Sequence, residues 1–73
     1  NKVLDLHNVR HRDVKKKLDD FLYFHIQRNT EEVKVVTGNS ENMKDIVNTI
    51  GEQYNMPTRD GVVNAGEIYI TVT

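Results

Sequence analysis

Two rhythms of apolar and polar residues run along this chain. Leu4 and Leu6 alternate with Asp5 and His7, which predicts a first strand over Asn1–His7 with the leucines on one face and the acid and imidazole on the other. The period then lengthens. Val14, Leu18, Phe21, Leu22 and Ile26 recur at helical spacing while Lys15, Lys16, Lys17, Asp19 and Asp20 fill the opposite faces, predicting an amphipathic helix from Arg10 or Arg12 to about Gln27. Asp13 suits the positive end of its dipole, and Arg28-Asn29-Thr30 gives it a stop without glycine. The β-branched run Val33–Thr37 predicts a second strand ending at Gly38. Asn39-Ser40-Glu41-Asn42 then supplies N-caps for a second helical stripe of Met43, Ile46, Val47, Ile50 and Tyr54. Gly51 weakens its last turn and Pro57 ends it. Met56–Val63 holds a short strand broken at Asp60-Gly61, and Asn64-Ala65-Gly66 is a turn. Ile68, Ile70 and Val72, alternating with Tyr69, Thr71 and Thr73, form a last, half-buried strand.

The order is β-α-β-α-β-β, without internal repeat or linker. Two right-handed strand–helix–strand crossovers and a hairpin return give an α/β two-layer sandwich, a mixed sheet with both helices on one face. The expected core is Leu4, Leu6, Val14, Leu18, Phe21, Leu22, Met43, Ile46, Val47, Ile50, Ile68 and Ile70, with Asp5, His7 and Tyr69 outside it or at its rim. His25 lies beside the apolar stripe and reads as a structural histidine.

Composition narrows the class. Seventy-three residues make one domain, and a chain this short buries only about 60% of its unfolded surface. With no cysteine and no apolar run near the roughly 20 residues needed to span a bilayer, the expectation is a cytoplasmic protein with no membrane partner. A start at Asn1 suggests a domain excised from a longer chain, and a monomer is expected of it. Net charge is −1, but six basic residues (Lys2, Arg10, Arg12, Lys15, Lys16 and Lys17) face only Asp5 and Asp13 up to position 17. Such asymmetry either creates a local positive field or decorates a solvated helix face.

Candidate chemistry gathers at two places. Asp5 and His7 leave the end of a strand together, beside the loop Asn8-Val9-Arg10, where a scaffold fixes side chains and a loop admits substrate. On spacing alone they read more simply as a hydrogen-bonded pair that closes the first turn. Thr37, Gly38, Asn39 and Ser40 form a strand–glycine–helix passage that aims backbone N–H groups at one spot, suited to an anion or merely to a turn. His7 and His11 are four apart but separated by a strand end, and no cysteine completes a zinc set.

These residues together resemble a known family. Leu4-Asp5-Leu6-His7 at the end of the first strand, Thr37-Gly38 before the second helix and the closing Gly66-x-Ile68-x-Ile70-x-Val72 strand are similar to the Smr (small MutS-related) domain, over the whole chain. Two positions depart from its pattern: Asn8 and Ser40 stand where the family usually has glycine. The resemblance implies a fold like the C-terminal domain of bacterial translation initiation factor three. It also implies DNA or RNA binding, with endonuclease cleavage in many members. Asp5 and His7 match the family's first motif, Thr37 and Gly38 the start of its second. Histidine titrates near pH 6.5 when unperturbed and suits acid–base work; Asp5 would orient it or hold a divalent metal. Arg10, His11, Arg12 and the Ser40 helix start would neutralise phosphate, with Lys15, Lys16 and Lys17 following the backbone at greater distance. The alternative is a non-catalytic module that docks on nucleic acid or protein within a larger chain.

Overall fold

A computed structural model describes residues 1–73. Its elements are β1 (Val3–Asp5), α1 (His11–Gln27), β2 (Glu32–Val36), α2 (Glu41–Gln53), β3 (Thr58–Asp60) and β4 (Glu67–Thr71). The order matches the sequence expectation, with β1 shorter than its polar–apolar alternation suggested. No helix is long and apolar enough to cross a membrane.

The sheet runs β1-β2-β4-β3, with β1 parallel to β2 and both other pairings antiparallel. The second crossover therefore does not bring β3 beside β2, as a simple repeat of the first would; β4 lies between them. The reason is in the residues. Thr58-Arg59-Asp60 has little to bury and takes the edge, whereas Glu67–Thr71 places Ile68 and Ile70 wholly inside and takes a central position. Val62 and Val63, grouped with the third strand by sequence, lie beyond it and are exposed.

Twelve apolar residues form a single core. Leu6, Val33, Val35, Ile68 and Ile70 come from the sheet side, and Val14, Leu18, Leu22, Met43, Val47 and Ile50 from the two helices, with Met56 beneath. Both helices thus lie on one face of the sheet, giving a two-layer sandwich. Val33, Val35 and Met56 join the expected set, while Leu4, Phe21 and Ile46 are only partly buried at its margin. Tyr54 Oη donates to Asp19 Oδ1 (2.7 Å) and ties α2 to α1; burial first and this bond second push the tyrosine pKa up to about 12.

Both helices stop without glycine, by the same device. Asn29 and Asn55 adopt φ of 56° and 58°, and the following amides reach back to the last turn: Thr30 N–H to His25 O and Met56 N–H to Gly51 O. These are Schellman closures with asparagine in the left-handed position, the residue that tolerates it best after glycine. His25 is buried, its Nδ1 bonded to Thr30 Oγ1 (2.8 Å) and its Nε2 to Asn1 O (2.9 Å), so its role is structural.

Candidate functional site

Three loops meet at the edge where β1, β2 and β3 end. Leu6 is wholly buried and its N–H donates to Val36 O (2.8 Å), which extends the β1–β2 pairing past the last strand residue. Burying a leucine contributes about 2 kcal/mol, and the two-residue repeat then leaves Asp5 and His7 no choice but the solvent side. Val9 N–H returns to Leu6 O (3.0 Å) and closes a tight turn over His7-Asn8. Neither turn residue has positive φ, so Asn8 sits there without backbone strain.

Asp5 Oδ1 accepts two hydrogen bonds from His7, one from the ring Nδ1 at 2.5 Å and one from the backbone amide at 3.0 Å. The ring bond first, and the amide bond second, hold the Asp5 carboxyl below the ordinary carboxylate range. With Nδ1–H committed to the carboxylate, the ring presents Nε2 outward. Both side chains are about half exposed, so a large substrate can reach them.

The second loop places a backbone turn against this histidine. Gly38 has φ of 68°, and a Cβ there would stand 3.5 Å from His7 Cβ. The third loop, between β3 and β4, locks that turn from the other side. Gly66 O accepts from Thr37 N (2.8 Å) and Gly38 N (3.1 Å), and a Cβ on Gly66 would come within 3.1 Å of Gly38 Cα. A side chain at position 66 would force that backbone to give by a few tenths of an ångström. Thr37 is buried, and its hydroxyl donates to Gly38 O at 2.8 Å.

The passage from Thr37 to Ser40 thus divides in two. Thr37 and Gly38 spend their amides on Gly66 and act as the tether, while the amides of Asn39 and Ser40 make no bond within the protein. Ser40 caps α2, its Oγ accepting from Met43 N (3.1 Å) in ordinary extended geometry (φ −76°). The serine supplies a cap that glycine could not.

The basic residues divide in the same way. Arg10, His11 and Arg12 are exposed and make no ion pair, and Arg10 occupies the N-cap of α1 without any capping bond. Positive side chains at the positive end of a helix are unfavourable unless an anion joins them. Lys15 and Lys16, by contrast, pair with Asp19 (2.9 Å) and Asp20 (3.0 Å) one turn further along. On the open sheet face Lys34 pairs with Glu67 (3.2 Å) and Arg59 with Glu32 (3.0 Å), the Arg59 guanidinium 4.4 Å above the Tyr69 ring. At the loop edge Arg10 and Arg12 are left without an ion pair, whereas Lys34 and Arg59 on the open sheet face are both paired.

A family model for the Smr domain matches residues 4–65. The chain belongs to the Smr family. That family is associated with nucleic-acid binding and nuclease activity. No curated protein and no solved structure matches the chain. In this Smr domain the matched span contains the Asp5–His7 pair, the Thr37–Gly38 tether and both basic segments of α1, and ends within the turn before Gly66. Sequence reasoning missed Gly66 as the lock of the site. Its signal, a small-residue turn before an alternating strand, was visible, but its position against Gly38 depends on where β4 inserts.

Proposed function

We propose that this Smr domain binds DNA or RNA by its phosphate backbone at the loop edge and cleaves a phosphodiester there. The observation that carries this reading is the orientation of His7: Nδ1 held by Asp5, Nε2 directed to solvent, the ring beside Gly38. His7 Nε2 takes the proton from the attacking oxygen, or returns one to the leaving oxygen, and Asp5 stabilises the imidazolium between these steps. The attacking oxygen is water or, on RNA, the substrate's own 2′-hydroxyl. Arg10, Arg12 and the free amides of Asn39 and Ser40 offset the phosphate charge, which grows in the transition state. Lys17 and, more weakly because they are paired, Lys15 and Lys16 extend the field along the strand.

The chain offers no protein cage for a divalent metal. No group of three or more His, Cys, Asp or Glu side chains comes together, and Asp5 already commits one oxygen to His7. No step is therefore assigned to a metal.

A second reading has its own support. The same Asp5 oxygen closes the turn through the His7 amide, as a purely structural pair would, so a binding module without cleavage satisfies part of the geometry. Cleavage assays separate the two. Labelled DNA and RNA in single-stranded and duplex form, incubated with pure domain with and without chelator, should be cut by wild type. His7→Ala should lower the rate by about 10²- to 10⁴-fold with binding retained. Binding by wild type without any cutting would establish the module instead.

A further inference from the structure

The tip of the β3–β4 loop is built against the usual preferences of turns. Gly, Asn, Asp and Ser favour such tips because they accept turn geometry or bond their own backbone, whereas valine does neither. Yet Val62 and Val63 stand there side by side, 93% and 100% exposed. They pack on nothing, so the fold gains nothing from them. One exposed valine is unremarkable on a protein surface; two in succession at a tip form a small apolar prow.

The prow is held out by a fixed base. Gly61 N–H donates to Glu67 O (3.0 Å) on one side, and on the other Asn64 Oδ1 accepts from Gly66 N (2.9 Å) while Gly66 O receives Thr37 and Gly38. Val63 is three residues from Gly66, which limits their Cα separation to about 11 Å. Gly66 touches Gly38, and Gly38 lies against His7. The valines therefore stand on the same edge of the sheet as the acid–histidine pair and the unpaired Arg10 and Arg12, on a loop whose base touches Gly38.

We propose that Val62 and Val63 form an apolar wedge that inserts at an unstacked base step of the nucleic acid held at the His7 edge. This rests on the nucleic-acid reading given above. Its chemistry is that of aliphatic side chains which enter between bases and substitute for lost stacking, while cations hold the flanking phosphates. Unstacking is least costly where the duplex is already interrupted, so the wedge selects bulged over fully paired substrate.

The test compares a labelled duplex carrying a two-nucleotide bulge, with 2-aminopurine in it, against the fully paired duplex of equal length. Wild type should bind the bulged probe roughly tenfold more tightly and brighten its 2-aminopurine. Val62→Ser/Val63→Ser should reduce the preference below about twofold and leave binding to the paired duplex unchanged. Because both side chains are exposed, its melting temperature should equal that of wild type; Val62→Met/Val63→Met, which stays apolar, should keep the preference. A serine variant that retains the preference, or a wild type that binds both probes equally, overturns the wedge alone. A wild type that binds neither probe overturns the wedge; if it also fails to bind the single-stranded DNA and RNA of the cleavage assay, the nucleic-acid reading falls with it.

Discussion

Because Asp5 Oδ1 accepts both the ring and the amide N–H of His7, replacing the acid tests orientation and stability at once. Asp5→Asn keeps an acceptor for the amide but loses the charge that would stabilise an imidazolium. Cleavage should fall by about 10²-fold or more with little change in binding. The pH dependence follows from the direction of the shift. A carboxyl whose folded pKa is depressed adds stability above its unfolded pKa, near the reference value of 3.8, and loses it as pH falls through the lower folded value. Thermal melts should therefore show wild type above Asp5→Asn at pH 5, and the two converging below about pH 3.8. At this scale the sequence was readable: the alternation Leu4-Asp5-Leu6-His7 alone places the pair outside the core. The backbone dihedrals were not, since only the structure shows that Asn8 and Ser40 occupy conformations open to any residue.

Elements carry a different tension. α1 begins with an arginine where serine, threonine, asparagine or aspartate would satisfy a free amide, and its first turn adds His11 and Arg12 to the positive end of the dipole against the single acid Asp13. The binding role proposed for Arg10 would account for this choice. Arg10→Ser should raise the unfolding free energy by about 1 kcal/mol and weaken nucleic-acid affinity, a pair of opposite changes read by denaturant melts and by binding titrations. A variant that gains stability without losing affinity would remove Arg10 from the interface. Helix extents followed from the apolar period to within a residue or two, but their ends did not announce themselves, because asparagine replaces glycine in both closures.

For the molecule as a whole, net charge is −1 and most lysines near the helix layer are paired, so any electrostatic grip must be local. Each phosphate neutralised contributes about −0.9 to the slope of log affinity against log salt on duplex DNA. With Arg10 and Arg12 at the edge and Lys17 further along α1 as the unpaired cations of this segment, the slope should be about −2 to −3, measured by fluorescence anisotropy from low to moderate salt. A slope near zero would remove backbone recognition. The layers and the core were legible from periodicity, since a local pattern decides which face is buried. Strand order was not, because pairing β4 between β2 and β3 joins residues far apart in the chain, and only the weak apolar content of Thr58-Arg59-Asp60 hinted at an edge.

The lock between the second and third loops is made of main-chain atoms: one carbonyl, two amides and two residues lacking a side chain. Only two neighbouring side chains add to it, the Thr37 hydroxyl on Gly66 O and the Asn64 carboxamide on Gly66 N. Asn39, Val62, Val63 and Ala65 can be rewritten to retune what the domain grips, while the bearing of the imidazole stays as it was.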